Sequence, residues 1–289
     1  MTQLAAPPKP EIIHHLPFAA YCDLSAVNAT TLLTYWRVSP QEARHVQLYD
    51  IEQTPSLVKG HATHAAILEP DVFEREYMTA PAFGNMRKKA VQEVRDKWNE
   101  EHKDSVVLTH EERESVIAMR KSVLEDPFIS ELFTGKGENE VTLTWTDEET
   151  GFACKARIDR LIENWHLYHV LLDIKTARDI DDGSLQKAIA AYHYHIRLGW
   201  YLDALGLVAP QSIKNFRVFI VWILNRAPWT ARVTEFEDDD LKEGRLQYKR
   251  LLRLHMECVT AGKWPGYPAG VEPLGLPVWA FELHRPRGI

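Results

Sequence analysis

GFACKARIDRLIENWHLYHVLLDIKT, Gly151 to Thr176, contains two alternating apolar runs separated by Glu163-Asn164-Trp165-His166. A period of two with many β-branched and aromatic residues predicts strands, and the ENWH tetrapeptide supplies a turn that makes them a hairpin. Asp159 lies on the first run, and Asp173 and Lys175 lie on the second. Alternate residues share a face of a strand, so Asp173 and Lys175 point the same way and Ile174 points opposite. A hairpin can bring Asp159 and Asp173 side by side on that face. Two converging carboxylates repel unless a cation joins them, and a hard divalent ion such as Mg2+ takes oxygen ligands of this kind. The ordinary alternative for Asp173 and Lys175 is a surface ion pair, which is worth little.

Outward from the hairpin, ENEVTLTWTD (Glu138 to Asp147) also alternates, and TDEETG supplies a turn, which makes a three-stranded antiparallel meander. Two further strands are expected in FRVFIVWIL (Phe216 to Leu224) and WTARVTEF (Trp229 to Phe236). The first half reads as mainly helical. Ser39-Pro40-Gln41-Glu42 is a capping box with proline at the first helical position and predicts a helix to about Tyr49. Thr54-Pro55-Ser56 opens a second helix that stops near Pro70, and two more run from about Asn85 to Glu101 and from Thr109 to Leu124. A helix from an N-cap at Ser184 to Leu205, with Gly206 just past its end, interrupts the strands, and Asp238 to Ala261 forms the last helix. The order predicts an arm over residues 1 to 28 and a single α/β domain over 29 to 289.

With 45% hydrophobic and 26% charged residues in 289, the chain can bury a well-formed core. Its three cysteines form no CxxC pair and are an odd number, which supports neither a disulfide framework nor a cysteine metal site. The segment MTQLAAPPKPEIIHH has no apolar core of signal-peptide length, and no later apolar run spans a bilayer, so a cytoplasmic protein with no membrane partner is expected. A net charge of −7 argues against coating nucleic acid by bulk electrostatics, yet leaves room for a local basic channel beside an acidic metal site.

An aspartate, about a dozen residues, and then Asp-x-Lys resembles the core of the PD-(D/E)XK nuclease superfamily. GHATHAAILEP (Gly60 to Pro70) resembles the helix that supplies a metal-associated histidine in its RecB- and RecE-like branch, which by position is His64. WTDEETGFACKARIDRL resembles that branch's strand pair, AAYHYHIRLGWYLDALG its following helix, and KWPGY its C-terminal segment. The similarity runs from about Thr31 to Ala280. It implies a restriction-endonuclease-like core, a central mixed β-sheet flanked by helices.

The resemblance further implies a Mg2+-dependent deoxyribonuclease, with Mn2+ as a substitute ion, similar to RecE-like phage and prophage exonucleases. Such an enzyme digests linear double-stranded DNA from 5′ ends and leaves 3′ overhangs for a single-strand annealing protein of the RecT type. His64, Asp159, Asp173 and the Ile174 carbonyl are the implied metal ligands, and Lys175 the residue that activates water. Members form rings, which implies a homo-oligomer, tetramer before trimer. The family helix carries a glutamine four residues before its tyrosine. Here Tyr201 is present and Arg197 takes the glutamine's place, so both can present to one site across a helix face, and an arginine binds phosphate more strongly than an amide. A catalytically weak DNA-binding accessory protein and a structure-specific endonuclease are the competing expectations.

Other residues have two readings. His61 is expected to neighbour the metal rather than hold it. Glu140 could add a carboxylate, but reads equally as an exposed strand-end residue and is left outside the site. Arg157 and Arg160 flank Asp159 as a salt-bridge rim or as contacts to DNA phosphate. Lys242, Arg245, Lys249, Arg250 and Arg253 read as a solvated helix face diluted by nearby acids, and Trp145, Trp165, Trp200 and Trp222 read as core.

Overall fold

The strands at Gly137–Thr146, Ala153–Trp165 and Tyr168–Ala177 form the antiparallel meander that the alternation predicts. The structure, a computed structural model, describes residues 9–48, 54–84, 87–103, 105–210 and 215–276. Tyr49, Asn85 and Ala280, where the sequence placed a helix end, a helix start and the limit of the resemblance, lie outside the described residues, as do residues 1–8 of the expected arm.

In chain order the elements begin with β1 (Glu11–Ile13), α1 (Phe18–Asp23), α2 (Ala29–Arg37) and α3 (Pro40–Leu48). Next come α4 (Pro55–Leu68), α5 (Pro70–Glu76), β2 (Tyr77–Thr79), α6 (Lys89–Glu101) and β3 (Val106–Leu108). They are followed by α7 (His110–Glu125), α8 (Pro127–Thr134) and the meander strands β4, β5 and β6. The chain continues through α9 (Asp182–Tyr192), α10 (Tyr194–Val208), β7 (Phe216–Leu224), β8 (Ala231–Glu235) and α11 (Asp238–Ala261).

The main sheet has six strands in the order β1-β4-β5-β6-β7-β8. Among the described strands only β6 and β7 pair in parallel within it, with Asp173 beside Ile220. Parallel neighbours need a crossover, which α9 and α10 provide. Covered on both faces, these two strands read as nearly continuous apolar runs rather than alternating ones: Val170 to Ile174 and Val218 to Leu224 are buried throughout. One core layer packs α2, α10 and α11 against the sheet through Leu32, Trp200, Leu252 and Trp222. The other packs α4, α7 and α8 against it through Ala66, Met119, Leu132 and Leu172. The result is a central mixed sheet between two helical layers, the expected α/β class.

Both capping boxes form. Ser39 and Glu42 exchange backbone and side-chain hydrogen bonds at the start of α3, and Thr109 and Glu112 do so before α7. Thr54 caps α4 by accepting from the Leu57 N–H. The helix expected from Ser184 to Leu205 is instead two helices. His193 sits at φ 55°, a left-handed conformation that ends α9 and redirects the chain into α10. Asp181 rather than Ser184 is the N-cap, accepting from the Ser184 N–H, and Gly206 lies inside α10, which continues to Val208. Gly244 of α11 allows a close approach to α10, where any Cβ would overlap the His195 carbonyl. That contact holds α10 against the molecule and fixes the direction of the face it turns to the sheet.

The expected arm is joined to the sheet. β1 pairs with β4, Ile12 beside Leu143, and Val27 bridges to Cys154. The sequence reading also left out α2, α8 and the small parallel pair of β2 with β3. Of the four tryptophans expected in the core, Trp145, Trp200 and Trp222 are buried and Trp165 is half-buried. On α11, Lys242 pairs with Asp239 and Arg253 with Glu149 on an exposed face, whereas Arg245, half-buried, turns to Asp203 on α10.

Candidate active site

Three carboxylates stand in a row across β4, β5 and β6. The pairs Asn139 with Arg160 and Val141 with Ile158 place Glu140 opposite Asp159. The pair Arg160 with Leu172 places Asp173 at the next position on the other side. Glu140 has φ 55°, a left-handed conformation costly for a residue with a side chain, about 1–3 kcal/mol. Over this row lies α4, whose His64 places Nδ1 3.4 Å from Asp159 Oδ2. Ligand atoms of His64, Glu140 and Asp159 all lie within 4.8 Å of one another.

Asp173 is only 2% exposed and takes the Lys175 ammonium as its ion-pair partner. The same ammonium donates to the Ile174 carbonyl at 2.9 Å. Lys175 thus stands between two of the groups that the sequence resemblance assigned to a metal. The shared face of Asp173 and Lys175, expected from strand alternation, is what permits this. Asp159 links the halves of the site: its Oδ2 accepts the Ile174 N–H at 2.7 Å and faces His64.

The electrostatics favour a cation at the trio. Burial, then the charge of Asp159, pushes the Glu140 carboxyl up to about 7, against the opposing pull of Arg157. Burial also raises Asp173, with Lys175 opposing. Two oxygen donors and one imidazole, with the Glu140 carboxyl raised by burial and by the charge of Asp159, are a donor set that fits a divalent ion. His61, one turn before His64 on α4, has its pKa lowered by burial and then by His64.

The two flanking arginines have interior roles in place of the expected DNA contacts. Arg160 is 4% exposed and donates to the Leu132 carbonyl, Asn139 Oδ1 and the Gly135 carbonyl. Its guanidinium fastens the end of α8 to the meander. Arg157 is 8% exposed; it bonds Glu140 through Nε and the Leu16 carbonyl through Nη1 at 2.6 Å, and Nη2 lies 3.7 Å from Glu69.

Arg197 behaves differently. Its side chain is half-buried, and among the described residues no ion pair or hydrogen bond engages its guanidinium. Burial opposes its charge, but Tyr201, Asp173 and Asp159 together raise its pKa. Tyr201, one turn on, is 8% exposed and is raised well above the ordinary tyrosine range by burial, with Arg197 opposing. Tyr194 completes this face of α10: its ring lies 5.6 Å from the Lys175 ammonium, and burial followed by Asp173 pushes its hydroxyl up to about 12. The structure therefore gathers His64, Asp159, Asp173, Ile174, Lys175, Arg197 and Tyr201 at one place. It adds Glu140 and Tyr194, which the sequence reading left out or passed over. The signal for Glu140 was its spacing on β4, legible only once the register with β5 is known.

A family model described as a PDDEXK-like domain of unknown function (DUF3799) matches residues 32–274. Among solved structures, a "Putative exonuclease" from Eubacterium rectale superposes with a TM-score of 0.60 at 12% identity, covering 96% of this chain and 100% of that one. At that identity the likeness shows the fold alone. The structure of SSO0001 aligns over 80% of this chain and 84% of its own at 14% identity, but with a TM-score of 0.28, too low to carry an argument. No curated protein matches the sequence.

Proposed function

The chain belongs to this PDDEXK-like family, and from that premise we propose that it is a divalent-metal-dependent deoxyribonuclease that hydrolyses DNA phosphodiester bonds. The carrying observation is the convergence of His64, Glu140 and Asp159 within 4.8 Å, next to an Asp173–Lys175 pair on the adjoining strand. The family match and the fold support a nuclease. The finer reading, a 5′-to-3′ exonuclease on linear duplexes, rests on the sequence resemblance.

His64, Glu140 and Asp159 would hold the ion, Mg2+ or Mn2+. When bound, such an ion supplies Lewis-acid polarisation of the phosphate and offsets the charge of the leaving oxygen. Asp159 holds the Ile174 N–H and so fixes the β6 backbone beneath the site. Lys175, held by Asp173 and the Ile174 carbonyl, orients the attacking water and stabilises charge that develops on the phosphate. Arg197, whose guanidinium has no hydrogen bond or ion pair among the described residues, binds the phosphate of the strand being cut.

Linear and covalently closed circular duplexes, incubated with and without Mg2+, test this reading. Metal-dependent loss of the linear form alone is the expected result. Cutting of the circle would make the protein an endonuclease, and no cutting of either would leave a DNA-binding accessory protein. By the same resemblance the working form is a ring, tetramer before trimer, that feeds 3′ overhangs to a RecT-type annealing protein. Light scattering tests the ring against a monomer of 33.3 kDa.

A further inference from the structure

The segment from β1 to the end of α1 is fastened at several points and yet exposes a large aromatic ring. β1 is hydrogen-bonded along β4. Lys155, 4% exposed, spends its ammonium on the carbonyls of Tyr21, Cys22 and Leu24 at 2.8, 3.2 and 2.8 Å, which closes the C-terminal end of α1. Arg157 holds the Leu16 carbonyl just before α1. A buried ammonium is costly unless its hydrogen bonds are met, and these three carbonyls meet them, which specifies the position of this short helix.

What that position presents is Phe18, 59% exposed, at the rim of the candidate active site. Its ring is 6.4 Å from that of His61, on the helix that carries His64. The guanidinium carbon of Arg157, whose Nε bonds Glu140, lies 5.8 Å from the Phe18 ring. Behind it, Tyr21 stacks at 6.3 Å and 23° and backs the ring with a buried surface. Packing accounts for Tyr21, whereas Phe18 is exposed.

We propose that Phe18 is a stacking platform for the nucleobase next to the scissile phosphodiester. This rests on the nuclease reading above and adds to it a contact with the base. A nucleobase is a flat aromatic ring with apolar faces, tethered through one sugar to the phosphate being cut. Aromatic stacking accepts any base, because each has a π-face, as a nuclease without sequence preference requires. Tyr21, stacked at 6.3 Å, and the Arg157 guanidinium, 5.8 Å from the ring, would steady Phe18 for that contact.

The test compares kcat/KM for duplexes with normal ends and for duplexes made abasic at each of the two nucleotides flanking the terminal phosphodiester. Wild type, Phe18→Ala and Phe18→Trp are measured, with melting curves to establish that each variant folds. Loss of stacking weakens binding roughly 5- to 150-fold, so wild type is expected to prefer the normal end over one of the abasic ends by that factor. Phe18→Ala is expected to lose the preference and cut both ends at the slower rate, and Phe18→Trp to retain it. Equal cutting of normal and abasic ends by wild type overturns the proposal without any variant and leaves the nuclease reading in place. So does a Phe18→Ala protein that folds and keeps the full preference. Absence of cutting on every duplex overturns the nuclease reading and this proposal with it.

Discussion

Asp173 and Lys175 lie two residues apart on β6 and satisfy each other, whereas His64, Glu140 and Asp159 come from α4, β4 and β5 and set two carboxylates against one imidazole. The local half carries its own cation. The half assembled from distant elements sets two carboxylates against Arg157, which bonds Glu140; its strain is visible in the left-handed backbone of Glu140, whose carboxyl burial pushes up to about 7. On the proposed reading the trio would hold the metal, and Asp173, a metal ligand by the sequence resemblance, would instead hold Lys175 for its work on water and phosphate.

Asp159 belongs to both halves, so its loss should do the most damage. Asp159→Asn keeps an oxygen for the Ile174 N–H but offers the ion a poor ligand, and cleavage of linear duplex is expected to fall by at least about 10³-fold with the melting temperature little changed. Activity near wild type would remove Asp159 from the chemistry. Lys175→Ala should cost about 10²–10³ in rate, the usual loss of one electrostatic stabiliser, and should leave metal affinity nearly intact because its partner Asp173 lies outside the trio. A large fall in metal affinity in that variant would erase the division between the halves.

Arg160→Met addresses a residue next to Asp159 that serves the fold instead. It strands the Leu132 and Gly135 carbonyls and Asn139 Oδ1, with an expected loss of about 3 kcal/mol or more in urea unfolding. Unchanged stability with weakened DNA binding would restore Arg160 to the phosphate contact expected from sequence. The smallest effect belongs to Arg197→Gln, which should preserve cleavage and weaken DNA binding, with the salt dependence shallower by about one unit of slope. A variant much more active than wild type would mean that the arginine restrains the site.

How far the site could be read from the chain follows the same division. Asp173, Lys175 and Asp159 were legible because strand alternation and a hairpin act over short separations, and His64 because its helix motif is recognisable. Glu140 was not, since a glutamate near a strand end has an equally good exposed reading until the β4–β5 register sets it opposite Asp159. The break at His193 was hidden because a non-glycine in the left-handed region leaves no compositional mark, and the continuous apolar period across it reads as one helix. For Arg157 and Arg160 the sequence left a salt-bridge rim and a phosphate contact open; Arg157 pairs with Glu140, and the backbone carbonyls of Leu16, Leu132 and Gly135 that draw both inward are partners that sequence does not display.

The most direct test of the account is a calorimetric titration of the protein with Mn2+, in wild type, Glu140→Gln and Lys175→Ala. If the trio holds the ion, wild type binds it, and Glu140→Gln weakens binding by about 10–100-fold or more, since even an outer partner of a metal site is worth that much. Lys175→Ala should bind much as wild type does. Unaltered affinity in Glu140→Gln, or no binding by wild type, would contradict a metal centre built on His64, Glu140 and Asp159.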